Sequence, residues 1–155
     1  MNRGTERKAI FSGDFDRKRF VKLVSELPER FGFEVHAYCL MTNHYHLALR
    51  TPLGNLSRGM KWLGQSYSSW FNHRNSRVGP LFQGRFKSIP VDPQEWLYKL
   101  SLYIHLNPLR TDAFGLGKRA NRNERLGVAP QPSTGEISGR LRELRAYRWS
   151  SYRAY

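Results

Sequence analysis

Apolar and polar positions change period several times along the chain, and each change marks an expected element. In "DFDRKRFVKLVSEL" the residues Phe20, Leu23, Val24 and Leu27 recur at helical spacing, with Asp14 as the expected cap. Pro28 bends or ends that helix because its ring removes an amide donor, and Gly32 can terminate the remainder. "FEVHAYCLM" and "HYHLALR" then read as two strands joined by a tight Thr42, Asn43 connection, a hairpin. "NLSRGMKWLGQSYSSWFNHR" returns to the helical period, with Leu56, Met60, Leu63, Tyr67 and Trp70 on one stripe. "LFQGRFKSIPV" alternates as a strand does, with Gln83, Arg85 and Lys87 on one face and Phe82 and Phe86 on the other. Gly84 inside it suggests a bulge or a close approach by a ligand.

A third helix starts at Asp92, Pro93, Gln94 and Glu95, a cap followed by proline and an acid in capping-box order. It is expected to run to about Asn107, where Pro108 disfavours helical geometry in the preceding residue. Residues 115–136 are rich in glycine, proline and polar residues and read as a basic insertion or linker. Residues 137–155 begin as a short amphipathic helix and end in an aromatic, basic tail that belongs with residues 1–114. The pattern contains no internal repeat.

Charge changes the picture. The 155 residues carry a net charge of +14 and a pI near 10.5, a balance that attracts polyanions, nucleic acid first among them. Residues 35–91 contain no Asp or Glu, yet they hold Arg50, Arg58, Lys61, Arg77, Arg85 and Lys87 and are rich in aromatic rings. A solvated basic face is the plain reading, but soluble surfaces normally mix both signs. A groove for phosphates and stacked bases fits better. Cys39 is alone, which leaves no disulfide and no cysteine-rich zinc site. No apolar run is long enough to span a bilayer and no secretory leader is evident, so a cytoplasmic, nucleoid-associated protein is expected.

The candidate chemistry is compact. His44 and His46 stand at i and i+2 of a strand and share a face, while Tyr45 points the other way with Leu47 and Leu49. Imidazoles so placed can converge on one cation, although most such pairs are ordinary polar surface. Tyr103 and Asn107 stand four apart on one helix face, and His105 lies about 200° round from Tyr103. Taken singly, Tyr103 reads as core in a buried Trp96, Leu100, Tyr103 stripe, and Asn107 as a helix end. Nothing supports a Ser-His-Asp or Cys-His centre, a paired-carboxylate site in the acid-free span, or a glycine-rich phosphate loop.

The stretches "NRGTERKAIF", "AYCLMTNHYHLAL", "GNLSRGMKWLGQSYSSWFNHR", "VGPLFQGRFKSIPVD", "YIHLNPLR" and "YRWSSYRAY", in that order, resemble the single-tyrosine HUH transposases, IS200-like, and within them the REP-associated tyrosine transposases. The resemblance implies an α+β fold, a ferredoxin-like antiparallel sheet with helices packed mainly on one face. It implies His44 and His46 as metal ligands with Asn107 as the third, His105 competing for that place. It implies Tyr103 as the nucleophile and Mg²⁺ or Mn²⁺ as the cofactor. Arg50, Arg58, Lys61, Arg77, Arg85, Lys87 and Arg110 become candidate DNA contacts. The implied substrate is single-stranded DNA with hairpin or repeat ends, cut through a 5′-phosphotyrosine by a monomer or homodimer. If about six phosphates are neutralised, log K falls with log salt at a slope near −4.

Three positions depart from the family pattern. Thr42 replaces a proline before Asn-His. The family places a strand, central in its sheet, before the segment matching "NRG", whereas here Met1 alone precedes it, so that strand is expected to be missing through a misassigned start or an incomplete domain. Residues 115–136 lengthen the path to the last motif. A non-catalytic nucleic-acid-binding relative and a water-using metal-dependent nuclease are the competing readings.

Overall fold

The computed structural model describes residues 1–110, 114, 116, 117 and 131–154. Its centre is the expected hairpin, β2 (Glu34–Met41) and β3 (His44–Arg50), whose register pairs Met41 with His44 across a two-residue turn. A short strand β1 (Asn2–Arg3) pairs antiparallel with the other side of β3, giving the order β1-β3-β2.

Alternation along β3 divides the molecule. Tyr45, Leu47 and Leu49 face a large aromatic core with α1 (Asp14–Ser25), α2 (Leu27–Phe31) and α3 (Leu56–Arg74). Phe11, Phe20, Tyr45, Tyr67 and Phe71 meet there edge-to-face or tilted, contacts that add to the ~1.5–3 kcal/mol each large apolar side chain gains by burial. Gly59 on α3 is required by this packing, since a Cβ there would run into the Phe33 ring. The proline break falls as expected: α2 carries Pro28 in its first turn and ends on Gly32, whose φ of +67° suits glycine. The cap of α1 differs. Asp16, not Asp14, takes the amides of Ser12 and Gly13, and Arg74 of α3 reaches its other oxygen. A buried carboxylate is tolerated there because these donors satisfy it.

Among the described residues the opposite face of the sheet holds one helix, α4 (Pro93–His105), so the helices lie mainly, but not wholly, on one side. Ala37, Cys39 and Ala48 are small enough to let α4 approach closely, with Ile104 buried among them. The expected capping by Asp92 is present, its side chain accepting from the Gln94 amide. The buried Trp96, Leu100, Tyr103 stripe is not. Trp96 is 48% exposed and Tyr103 40%, because the small β-strand residues seat only Leu100 and Ile104. The helix also stops earlier than expected, and Asn107 begins a separate 3₁₀ turn, Asn107–Leu109.

The strand expected over "LFQGRFKSIPV" does not form; one isolated bridge, Phe82 to Gly4, remains. The segment still runs along β1, with Gln83 N donating to Arg3 O and Lys87 N to Met1 O. Between those bonds Gly84, Arg85 and Phe86 stand opposite the single residue Asn2, whose side-chain amide nitrogen donates to the Gly84 carbonyl. That surplus interrupts the ladder, much as a bulge does. β1 therefore sits between β3 and this segment, the inner position that the resemblance reserves for a strand.

The outer edge of β2 is covered by the C-terminal motif. Leu40 N donates to Trp149 O, Tyr147 OH to Leu40 O, and Ser151 Oγ accepts from Tyr38 N, which removes an unpaired strand edge. A helix α5 (Thr134–Ala146) precedes it, starting before the expected residue 137 because Ser133 and Glu136 form a capping box. The greater part of the 115–136 insertion lies outside the described residues.

Candidate active site

Pairing builds the site from three elements. β3 sets the rings of His44 and His46 on one face, centroids 5.1 Å apart. β1 pairs Arg3 with His44, so the guanidinium shares that face. α4 crosses above, its Tyr103 ring edge-on to His46 with centroids 5.5 Å apart, and Arg110 lies 4.2 Å over the Tyr103 ring. The Asn107 amide donates to the carbonyls of Tyr103 and Ile104, so its nitrogen is turned into the helix end. Its Oδ1 bears no hydrogen bond among the described residues. His105 points elsewhere, to Ser101, Ser151 and the Tyr152 ring.

Both imidazoles are held neutral. Burial, with the Arg3 charge beyond it, lowers His44 to about 4. Burial again, then the charges of His44, the N-terminal ammonium, Arg110 and Arg3, lowers His46 to about 3. A neutral ring is the form that binds a metal. Asn43 fixes which nitrogen of His44 is available. Its Nδ2 donates to Arg7 O at 2.9 Å, so its Oδ1, 2.7 Å from His44 Nδ1, must accept a proton there. Nε2 keeps the lone pair. The Arg7 carbonyl is presented by a turn in which Glu6 and Arg7 both have positive φ, local strain of the kind that gathers at functional sites.

Two neutral imidazoles and an amide oxygen form a donor set that fits a divalent ion with open positions for substrate. His46 is buried but makes no hydrogen bond among the described residues, which a ligand would remedy. Among the described residues no group of three or more His, Cys, Asp or Glu is placed to hold a metal. His46 and Asn107 are buried, whereas Tyr103 is 40% exposed. A cleft of about 250 Å³ lies elsewhere, lined by Val35, His36, Ala37, Tyr38, Ser151 and Ala154, and holds none of these groups.

The family model described as "Transposase IS200 like" matches residues 1–107, a span that contains His44, His46, Tyr103 and Asn107. The chain belongs to the IS200-like transposase family. No curated protein and no solved structure matches it significantly. As a transposase the protein binds and cleaves DNA, and among the described residues no helix is long and apolar enough to cross a membrane.

The basic residues of the transposase divide by position. Arg110 lies at the site, and Arg85 and Lys87 are exposed on the segment beside β1. Arg50 ends β3 far from the histidines and is paired with Glu34 at 2.9 Å. Arg58 and Lys61 are exposed on α3, across the sheet, and Arg77 lies over Phe71 beyond the end of that helix. Arg3 and Asn43 escaped the sequence reading. Asn43 adjoins His44 and could have been found as its hydrogen-bonding neighbour; Arg3 is revealed only by the pairing of β1.

Proposed function

We propose that this transposase nicks and rejoins single-stranded DNA at hairpin-associated or repeat ends through a covalent link to Tyr103. The observation that supports it most is the edge contact between Tyr103 and His46, which puts a phenol against one of two adjacent neutral imidazoles. The Tyr103 oxygen attacks a phosphorus, the P–O3′ bond breaks, the phenolic proton passes to solvent, and the leaving 3′-oxygen is protonated. The products are a 5′-phosphotyrosine and a free 3′-OH. The covalent bond keeps the energy of the broken linkage, so a second 3′-OH reverses the step without ATP.

Mg²⁺ or Mn²⁺, held by His44 Nε2, His46 and Asn107 Oδ1, would when bound neutralise charge on a non-bridging phosphate oxygen. Arg110, over the Tyr103 ring, and Arg3, beside His44, bind the phosphate from either side and orient it. Arg85 and Lys87 extend that basic margin along β1. A cytoplasmic setting and a monomer or homodimer complete the proposal.

The test is a denaturing gel of labelled hairpin-flanked single strand incubated with the protein and Mn²⁺. A protein–DNA adduct that disappears in Tyr103→Phe supports the reading. Cleavage surviving in Tyr103→Phe means that water is the nucleophile, and binding without any cleavage means a non-catalytic relative.

A further inference from the structure

The exposed face of α4 carries two rings, each with a cation over it, one from α4 itself and one from just beyond the following 3₁₀ turn. Lys99 Nζ lies 4.6 Å from the Trp96 ring centroid, and Arg110 lies 4.2 Å from that of Tyr103. Trp96 and Tyr103 are seven residues apart, within about 20° of the same helix face, so both rings open to one side. Among the described residues no other ring or cation meets Trp96, which leaves 48% of its surface exposed. A tryptophan so displayed on a helix whose burial is carried by Leu100 and Ile104 has no packing role to account for it.

We propose that Trp96 and Lys99 form a base-stacking subsite for single-stranded DNA, about two helical turns from the nucleophile. The proposal rests on the DNA-nicking reading above. Seven residues of helix span about 10.5 Å, roughly three nucleotides at a stacked rise near 3.4 Å. Trp96 therefore takes a base about three nucleotides from the phosphate that Tyr103 attacks, and Lys99 the phosphate beside it. The occupant is nucleic acid, not a second copy of the chain, because the stripe alternates ring with cation. That alternation complements a strand that alternates base with phosphate, whereas a dimer interface would bury Lys99 unpaired, and lysine is depleted in protein interfaces. Stacking tolerates any base, so this subsite grips the strand without reading its sequence.

Two probes of about 20 nucleotides separate the ring from the charge: oligothymidine, and an abasic oligomer with the same number of phosphates, both bound in EDTA so that no cutting occurs. Trp96→Ala is expected to weaken oligothymidine binding about tenfold and to leave the abasic oligomer unchanged, while Trp96→Phe stays within about threefold of the parent. Lys99→Ala should weaken both probes alike. Equal loss on both probes in Trp96→Ala, or no loss on either, overturns the proposal. So does a dimer that sedimentation shows dissociating in Trp96→Ala, which would mean that a second copy covers this face. The covalent adduct is assayed on the same preparations. A base-dependent loss with no adduct sinks the nicking reading and leaves the subsite standing; an adduct with no base dependence does the reverse.

Discussion

Tyr45 and His46 are neighbours in sequence and opposites in circumstance. Tyr45 is fully buried in the aromatic core under α1 and α3, and its hydroxyl is pushed up by that burial. His46 faces the other way, buried by α4 but without a hydrogen bond among the described residues, its ring against the half-exposed Tyr103. One face of the sheet is filled with large rings and needs nothing further. The other is lined by Ala37, Cys39 and Ala48, admits one helix, and leaves polar donors unmet. Stability and chemistry are thus divided between the two sides of a single strand, and substitutions on each side should move different measurements.

The sharpest contrast sets Tyr103→Phe against Tyr45→Ala. The first should abolish adduct formation and leave Tm unchanged. The second should cost about 3–5 kcal/mol in denaturant unfolding, the usual loss for removing a buried ring. If Tyr45→Ala unfolds no more readily than Tyr103→Phe, the division of the faces is wrong. Next in size is Asn43→Leu, which frees the His44 tautomer. Mn²⁺ affinity by calorimetry should fall 10- to 100-fold, as for other partners of metal-binding histidines, while Asn43→Asp, which keeps an acceptor at Nδ1, should lose less.

A pH series probes the same face more gently. In the unfolded chain the imidazoles protonate near 6.5, whereas in the folded chain His44 waits until about 4 and His46 until about 3. Between those values the unfolded chain binds more protons, so the contribution of these two rings to stability should be flat above pH 7, decline as pH falls from 6.5 towards 4, and level off below about 3. Thermal scans of His44→Asn with His46→Asn should show a shallower decline, the part owed to His105 remaining, and Tyr45→Phe should retain it in full. The smallest effect concerns salt. Each phosphate contact to single-stranded DNA contributes about −0.7 to the slope of log K against log salt. Arg110→Ala on the site face should flatten the slope by roughly that amount. Arg58→Ala with Lys61→Ala, across the sheet, should leave it unchanged.

Much of this division was legible beforehand. A period of two placed His44 with His46 and turned Tyr45 away, and the hairpin needed only its two-residue turn. Helix α3 was readable because its stripe is long and all of it packs on the core, Leu56 and Trp70 partly and Met60, Leu63 and Tyr67 fully. Helix α4 was misjudged at Trp96 and Tyr103, since an apolar period says which residues share a face but not whether another element covers it. The segment beside β1 was misread as a strand for a different reason. Its alternation is real, and Phe82 and Phe86 do pack on the core, but two residues of β1 cannot support a ladder past the surplus at Gly84. Asp16 displaced Asp14 as a cap because the partner that makes its burial affordable, Arg74, lies 58 residues away. Arg3 depended on a pairing between distant segments, which local pattern does not carry.

Cys39 lies between the sheet and α4, wholly buried, with its thiol pushed up to about 12. At neutral pH it should therefore ignore a thiol reagent for as long as α4 stays down. Tyr147 and Ser150 of the C-terminal motif cover Cys39 from the other side, so each labelling event marks an opening of this layer, and comparing the rate with and without a Tyr147→Ala change separates departures of the helix that carries Tyr103 from departures of the tail, without adding any reporter to the chain.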